Sequence, residues 1–489
     1  MKAGRARNIS MAAVLAAIVL VTAIVIAGLG RSAAAAPLLT LAVALLFSVG
    51  VLTIVRPELL VLVFIGCLPW ASKLAYPSAS FTVLALIRLI LPVLFVGRAL
   101  VYRERLMLPR FLAPLGIFLL LVLLSLMVSS DPSEGLVKTL RYVSFAAALF
   151  AAIQFLGERA WVFRAIRVLV ISSSAASTYA LVGFLSGALL RADGPLADPN
   201  DFAYLLATVV PLAVFLFIED RAWRGLWGIA LAVLLAGSLA SLSRGAYVGL
   251  AGLVVWGMAT RRVSAVALLG ALTAMGTVLV VVLALFGSVI SQRIEGRERV
   301  TGSSAAARTA FWGAAAQMSL DHPLVGVGPE RFDAEREKYL KSSPIALGAR
   351  ENAQSRTRTP VSSVHDSYLE IAAEDGILAG LAFAYLLVAV WLSLREFRRD
   401  RASSVDDQGK RLAGALQGSL IVAVLSGAFV SGQLEAPFWL VSVLAGALTA
   451  GSALRVPSLA GRRWVNPEPF ARALSDRTRL SAGSGGIRA

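Results

Sequence analysis

Residues 377–394 read I-L-A-G-L-A-F-A-Y-L-L-V-A-V-W-L-S-L, a run of 18 residues without a charged side chain. A helix needs roughly 20 apolar residues to cross the hydrocarbon core of a membrane, which is about 30 Å thick. The rest of the chain has the same character, because 58% of its 489 residues are hydrophobic and only 15% are charged. Soluble domains average about 45–50% apolar and about 25% charged residues. The sequence therefore predicts an all-α polytopic membrane protein.

Similar apolar stretches recur along the chain and predict about 12–14 transmembrane helices. The stretch at 58–72 is short, which favours a re-entrant or tilted segment. The first stretch has a basic lead-in and is followed by small residues, as in a signal peptide, but its apolar part is longer than the 7–15 residues of such a peptide, so we expect a retained helix. The fourteen candidate spans are 9–29, 37–55, 58–72, 81–101, 111–129, 138–157, 165–190, 201–218, 224–241, 245–260, 263–288, 368–394, 412–430 and 437–454.

The distribution of Lys and Arg predicts how the chain is oriented. Most of the basic residues lie in alternate short loops, and such loops stay on the cytoplasmic side. This pattern predicts a cytoplasmic N-terminus and four regions: eleven N-terminal membrane helices within 1–288, a large periplasmic loop with short helices at 289–366, three C-terminal membrane helices within 367–454, and a basic cytoplasmic tail at 455–489 that we expect to be disordered.

The net charge of +17 does not indicate nucleic-acid binding here, because the basic residues serve as orientation signals between apolar runs. The single cysteine, Cys67, excludes an intramolecular disulfide and a cysteine metal cluster, and its apolar surroundings favour a core position.

The sequence of the large loop at 289–366 predicts that part of it is folded. Residues 305–320 have a helical pattern that Pro323 ends, Gly326 and Gly328 predict a turn, and residues 331–340 form a charged amphipathic stretch. Residues 341–360 are rich in Ser, Pro and Arg, which is typical of a mobile segment.

Arg244 follows Ser243 and precedes Gly245 at a junction between two predicted membrane helices. One interpretation is an arginine that reaches to the membrane interface and marks the end of a span. The other is an anion clamp, because guanidinium binds phosphate through two parallel hydrogen bonds and stays charged in a dry site, and Gly245 permits close backbone approach.

Arg308 lies in the outer loop with Phe311 and Trp312. These residues are typical of an amphipathic helix on the membrane surface, with the aromatic side chains as interfacial anchors. Alternatively, Arg308 supplies a second phosphate-binding guanidinium, and two arginines from different elements would hold a diphosphate between them.

His365 is one of two histidines in the chain and precedes a predicted membrane helix. The positive end of a helix dipole disfavours its protonated form, which would leave it able to act as a general base. Asp366 and Glu370 would oppose that effect or orient the ring. The alternative is that His365 merely caps the helix at the membrane interface. His322 precedes Pro323 and fits a capping or packing role better. The two histidines and scattered carboxylates lack metal-ligand spacing, so we expect no metal site.

Taken together, these motifs resemble the O-antigen ligase and polymerase superfamily of bacterial envelope glycan transferases. An earlier segment, D-G-P-L-A-D-P-N, resembles the D-P-N segment of that family. In chain order the motifs are D-G-P-L-A-D-P-N at 193–200, S-R-G at 243–245, A-R-T-A-F-W at 307–312, H-P-L-V-G-V-G-P-E-R-F at 322–332 and V-H-D-S-Y-L-E-I-A-A-E-D-G-I-L-A-G at 364–380.

The resemblance implies a GT-C-like helical glycosyltransferase in the bacterial inner membrane, with its active site facing the periplasm. It would take a glycan from undecaprenyl diphosphate and transfer it, with inversion and without metal, ATP or another cofactor, to lipid A-core or a protein. By motif, Arg244 and Arg308 would bind the diphosphate and His365 would deprotonate the acceptor. The matched motifs add Asp198, Asn200, Trp312 and Asp366 as substrate-binding candidates, although the family often has Asn at the position of Asp366.

Two alternatives stay open. The same residues suit a polymerase that joins lipid-linked repeats, because the acceptor pocket has no recognisable signature. A transporter or flippase for lipid-linked glycans is the other alternative, although transporters usually place ionisable residues near the bilayer midplane, where Arg88 is the main candidate in this sequence.

Overall fold

The computed structural model describes residues 56–74, 82–102, 106–189, 191–196, 198–260, 308–342, 364–400, 407–433 and 436–453. The expected spans at 9–29, 37–55 and 263–288 and the basic tail at 455–489 lie outside the described residues. The expected division into four regions also depends on these segments and stays a prediction.

The described elements are α-helices joined by short turns. The bounds are α1 (Pro57–Cys67), α2 (Val83–Tyr102), α3 (Leu112–Val128), α4 (Pro132–Phe155), α5 (Arg159–Leu185), α6 (Pro199–Glu219), α7 (Arg224–Ala240), α8 (Arg244–Ala259), α9 (helical residues 308–321), α10 (Phe332–Ser342), α11 (Ser367–Glu374), α12 (Ile377–Arg399), α13 (Asp407–Gly427) and α14 (Ala436–Ala453), with 3₁₀ turns at Leu68–Trp70, Gly194–Leu196 and Arg221–Trp223.

Six helices in the described ranges are long and apolar enough to cross a membrane. They are α2, α4, α5, α6, the segment Arg221–Ala240 and α12, and four shorter apolar helices accompany them. This confirms the predicted class, an all-α polytopic membrane protein. The short span expected at 58–72 is α1 followed by the turn Leu68–Trp70.

Local sequence sets where the helices begin. Asp198 is the N-cap of α6, and its side chain accepts hydrogen bonds from the backbone N–H of Asn200 and of Asp201. Pro199 follows as the first helical residue, where its missing N–H has no cost. Asp131 and Pro132 start α4 in the same way. The start of α6 therefore places Asp198 and Asn200, two candidate site residues, at this end of the helix.

The bundle is organised around α6, which packs against α7 and α13. The membrane-spanning window of α6 is 78% buried, more than that of the other five long apolar helices. Small residues bring α8 close to α13, because a Cβ atom at Gly249 would lie 2.3 Å from the Ser426 hydroxyl oxygen. Close approach through small residues is the usual way in which membrane helices pack.

The span expected at 368–394 is two helices rather than one. The short helix α11 ends at Glu374, and α12 starts at Ile377 after a glycine with φ of 92°. Position 376 requires glycine, because other residues rarely adopt this φ and because a Cβ atom there would lie 2.5 Å from the Leu324 carbonyl oxygen. The apolar pattern runs across the break, so the sequence alone did not reveal that α11 precedes the spanning helix as a separate element.

Candidate functional site

The backbone of His365 is held in an unusual conformation. Its φ is 55°, and the described residues contain two other non-glycine residues with positive φ, Leu242 and Glu330. Each of the three lies in or directly beside one of the sequence motifs of the predicted site. Such backbone costs of the order of 1–3 kcal/mol per residue and persists only where the surroundings impose it. The positive φ angles therefore indicate that the surrounding structure fixes the backbone of the loops that carry the motifs.

A loop between α13 and α14 fixes the segment that carries His365. The His365 backbone N–H donates to the Ser431 hydroxyl at 3.1 Å. The Ser367 hydroxyl donates to the Val430 carbonyl at 2.8 Å and accepts from the Gly432 N–H at 2.8 Å. These bonds tie both sides of His365 to residues 430–432.

Asp366 caps α11. Its carboxylate accepts from the backbone N–H of Tyr368 at 2.9 Å and of Leu369 at 3.0 Å. Burial raises the pKa of Asp366, while these two hydrogen bonds lower it. Asp366 is therefore the N-cap of α11, and since Asn is an equally good N-cap, the same contacts would be available to the Asn that the family often has here.

Charged groups from two other motifs surround His365. Burial lowers the pKa of His365, and the neighbouring Arg308 cation lowers it further, while Asp198 and Glu370 oppose the shift. The imidazole is therefore mostly neutral at neutral pH, the state in which it accepts a proton. Residues from the D-P-N segment and the A-R-T-A-F-W motif thus lie within electrostatic range of the histidine.

Trp312 links the outer loop to the same segment. Its indole N–H donates to the Val364 carbonyl at 3.1 Å, and its ring lies 6.4 Å from that of Phe429, centroid to centroid. The expectation of a purely interfacial anchor does not describe these contacts, because α9 packs against protein with Ala314, Ala315 and Met318 fully buried.

Arg244 is the first residue of α8 and is exposed to solvent. Gly245 beside it lies against Phe429, since a Cβ atom there would be 2.7 Å from the Phe429 Cβ. The small size of Gly245 thus serves helix packing. Phe429 contacts both Gly245 and Trp312, which brings the S-R-G and A-R-T-A-F-W motifs to one place.

Arg191 joins the D-P-N segment to the S-R-G region. Its guanidinium donates to the Asn200 side-chain oxygen at 2.9 Å and to the Ser241 carbonyl at 2.7 Å. Asn200 is therefore occupied by a protein partner, and Asp198 by its capping role. Sequence reasoning missed Arg191, whose only signal is its position just before D-G-P-L-A-D-P-N.

A buried ionic cluster connects α11 to α4. Lys138 of α4 donates to Glu370 at 2.7 Å and to Glu374 at 2.5 Å, and all three side chains are less than 10% exposed. Burial and the charge of Glu370 raise the pKa of Glu374 to about 7, against the influence of Lys138. Gln433, from the loop that holds His365, also donates to Glu370. Sequence reasoning placed Lys138 at the edge of a span, whereas it lies well inside α4.

The H-P-L-V-G-V-G-P-E-R-F segment wraps around the end of α11. The N–H groups of Val327 and Gly328 donate to the Ala373 and Glu374 carbonyls at 3.0 and 2.9 Å. The Glu374 carboxylate accepts from the backbone N–H of Glu330 at 3.1 Å and of Phe332 at 3.3 Å. Glu374 therefore connects the outer loop, α11 and Lys138.

The motifs that sequence reasoning singled out thus meet at one end of the bundle. Asp198, Arg308, Trp312 and Asp366 surround or adjoin His365. His322 is exposed, and its backbone carbonyl accepts a hydrogen bond from the Gly326 N–H. Within the described ranges, no group of three or more His, Cys, Asp or Glu side chains is arranged to hold a metal ion.

A multi-pass helical membrane protein with a polar cluster at its helix ends is the class that fold and geometry define. Residues 229–384 match a family model described as O-Antigen ligase. The match spans the S-R-G motif, the outer loop, His365 and the first part of α12, and it confirms the predicted resemblance of this part of the chain to O-antigen ligases. No curated protein matches the chain. The similarity of this segment supports an envelope-polysaccharide enzyme of the ligase and polymerase type, a type that acts on a lipid-linked glycan and an acceptor.

Proposed function

We propose that the protein is a membrane glycosyltransferase that moves a glycan from undecaprenyl diphosphate to an acceptor hydroxyl at the periplasmic face of the inner membrane. The observation that carries the proposal is the convergence on His365 of Arg308, Trp312 and Asp198, which come from two segments remote from His365 in the sequence. A neutral, half-buried imidazole beside a permanent cation suits a reaction that needs both a base and an anion-stabilising group.

In the proposed step, the acceptor oxygen attacks the anomeric carbon from the face opposite the diphosphate. The bond between that carbon and the diphosphate oxygen breaks, undecaprenyl diphosphate leaves, and the acceptor proton passes to His365. The configuration at the anomeric carbon is inverted. A sugar hydroxyl is a weak nucleophile at neutral pH, which is why a positioned base accelerates the reaction.

Arg244 and Arg308 have the complementary role of holding the donor diphosphate. Negative charge grows on that group as the glycosidic bond breaks, so fixed guanidinium groups stabilise the transition state more than the bound substrate. Arg244 is exposed at the start of α8, where the helix N-terminus also favours an anion. With two guanidinium groups as the counter-charge, the proposed reaction proceeds without a metal ion.

The acceptor separates a ligase from a polymerase. We propose a ligase-type transfer to lipid A-core or a protein, with polymerisation of lipid-linked repeats as the alternative. Purified protein would be given a synthetic undecaprenyl-diphosphate glycan and one of three acceptors: lipid A-core, a peptide or a second lipid-linked repeat. Product with the repeat alone would replace the ligase assignment by the polymerase one.

The test of the chemistry uses the two histidines of the chain. We expect His365→Ala to abolish transfer while the labelled donor still binds, and His322→Ala to leave transfer unchanged because His322 is exposed and is not among the charged neighbours of His365. Retained transfer in His365→Ala would contradict the proposal. Loss of lipid translocation, with no transfer in the wild type, would indicate a transporter instead.

The side of the membrane is tested by labelling. Cys67 is the only cysteine, so Cys67→Ala provides a background in which Glu337→Cys, exposed on α10, reports the location of the outer loop. We expect a membrane-impermeant maleimide to label this position from the periplasm. Labelling only after lysis would place the cluster on the cytoplasmic side and refute the orientation.

A further inference from the structure

A polar cavity lies between α8, α12 and α13, at the end of the bundle opposite the candidate site. Its volume is about 510 Å³, within the range of about 300–1,000 Å³ that is usual for ligand sites. Because α12 starts next to α11 and has 23 residues, at about 1.5 Å per residue its far end lies roughly 34 Å away along the helix. The described lining consists of Trp256, Thr260, Trp391, Arg395, Arg398, Arg399 and Gln417.

The charge of this cavity is positive. Three of its described lining residues are arginines and none is acidic. Glu396 lies among them in sequence but forms its ion pair with Arg110. Arg398 is oriented by Gln417, whose side-chain oxygen accepts from its guanidinium at 2.9 Å and whose side chain is 1% exposed. A fixed guanidinium flanked by two others is the arrangement that binds phosphate.

The surroundings of the cavity are those of a membrane interface. Trp256 and Trp391 contact each other with ring centroids 5.9 Å apart, and tryptophan is enriched where helices leave the hydrocarbon. On the same helices, towards the middle of the bundle, Val255, Val388 and Leu392 are 61%, 49% and 40% exposed. An apolar strip of α8 and α12 therefore continues from the charged cavity.

We infer that this cavity binds the phosphate headgroup of an anionic phospholipid, with the acyl chains lying along the exposed apolar residues of α8 and α12. Three cations favour an anionic headgroup over a zwitterionic one, and the adjoining apolar strip favours a lipid over a soluble phosphate. A basic pocket between membrane helices at the cytoplasmic surface is where anionic headgroups are commonly held. This lipid site is separate from the proposed catalytic site and would exist whichever acceptor the protein uses.

The test is lipid binding by the full-length protein in detergent, measured by native mass spectrometry. Phosphatidylglycerol and phosphatidylethanolamine with identical acyl chains are titrated separately. We expect phosphatidylglycerol to bind more tightly, and Arg395→Gln/Arg398→Gln/Arg399→Gln to weaken its binding by roughly tenfold or more. The matched control, Arg164→Gln/Arg221→Gln/Arg224→Gln, removes the same charge outside the cavity and should change binding less than twofold.

Two further measurements separate a lipid site from misfolding, from a general charge effect and from a site for soluble anions. Arg395→Gln/Arg399→Gln leaves the bond between Arg398 and Gln417 in place, so a weaker affinity in this variant is not the result of misfolding. Equal losses in the cavity and control variants would mean a general effect of surface charge and would overturn the inference. Displacement of the lipid by millimolar inorganic phosphate would assign the cavity to a soluble anion and would overturn it as well.

Discussion

Replacing Lys138 by methionine should destabilise the protein in a way that depends on pH. The substitution keeps most of the aliphatic volume but removes the cation that lies between Glu370 and Glu374. The two carboxylates are buried, so they cannot regain water as compensation. We expect the folded variant to take up one additional proton on Glu370, whose pKa Lys138 lowers in the wild type, because that is the least costly way to avoid an unpaired buried charge.

The magnitude follows from the ordinary pKa of glutamate. Keeping a carboxyl group of pKa about 4.3 protonated at pH 7 costs about 3.7 kcal/mol, since each unit corresponds to about 1.36 kcal/mol. At pH 5 the same proton costs about 1 kcal/mol. The first value agrees with the loss of about 3–5 kcal/mol that is typical when one partner of a buried ion pair is removed.

The direction of the pH dependence is also fixed. In the variant the folded state holds the pKa of this carboxyl group above its unfolded value, so the deficit relative to the wild type grows as pH rises above about 4.3 and is small below it. Thermal unfolding in detergent at pH 5, 6, 7 and 8 measures it. Lys338→Met, at an exposed position of α10, is the control and should stay within about 0.5 kcal/mol of the wild type.

A second variant separates charge from packing. Lys138→Met/Glu370→Gln removes one cation and the carboxylate that would have to take up the proton, so most of the lost stability at pH 7 should return. A Lys138→Met protein that is equally destabilised at pH 5 and pH 8, or that the Glu370→Gln change does not rescue, would refute the reasoning. In that case the cluster would act through packing and not through charge.

Four further predictions concern the candidate site and the turn beside it. Arg244→Lys keeps the charge but loses the planar pair of donors, so we expect transfer to fall at least about tenfold with normal membrane insertion, measured as kcat/KM for the donor; unchanged transfer would count against the clamp. Because the pKa of His365 is lowered by burial and by Arg308, kcat/KM should rise with a midpoint below pH 6.5 and level off above it. Asp198→Asn keeps the helix cap but removes a charge that raises the pKa of His365, so it should move that midpoint to lower pH; a flat profile between pH 5 and 8 would argue against His365 as the base. Gly376→Ala should cost at least about 1–3 kcal/mol, because Gly376 has a φ of 92° and its Cβ would approach the Leu324 carbonyl, whereas Gly380→Ala on α12, whose Cβ would lie in ordinary contact 3.7 Å from the Ala372 Cβ, should be neutral or slightly stabilising; thermal unfolding compares the two, and equal midpoints would contradict the role of Gly376.

The helices were predictable because a membrane imposes one length and one composition on every span. The expected span at 224–241 coincides with α7 to within one residue, and the span at 201–218 differs from α6 only because the helix starts at Pro199 after an aspartate cap. Errors occur where polar residues lie inside helices. The expected span at 138–157 began at Lys138, whereas α4 starts at Pro132, because a lysine in an apolar run is usually a boundary.

The candidate site was predictable as a set of motifs but not as a geometry. Arg308, His365, Asp198 and Asp366 could be named from the sequence as candidate site residues. The contacts of Lys138 with Glu370 and Glu374 join residues more than 230 positions apart. One part was readable in principle, since Glu370 and Glu374 are four residues apart and must lie on one face of a helix.

The strained backbone at His365 and the buried ionic cluster are both explained if a loop has to position the proposed catalytic histidine. A loop positions a side chain less accurately than a helix does, and a proposed base has to be placed to within a fraction of an ångström. In this molecule His365 is bonded to Ser431, the same loop is bonded through Gln433 to Glu370, and Glu370 is bonded to Lys138 on a long membrane helix. The Glu370 and Gln433 side chains thus connect the loop that holds His365 to the rigid helix α4. We therefore expect Lys138→Met to lower kcat for transfer more than it raises KM for the donor, even at pH 5, where its effect on stability is smallest.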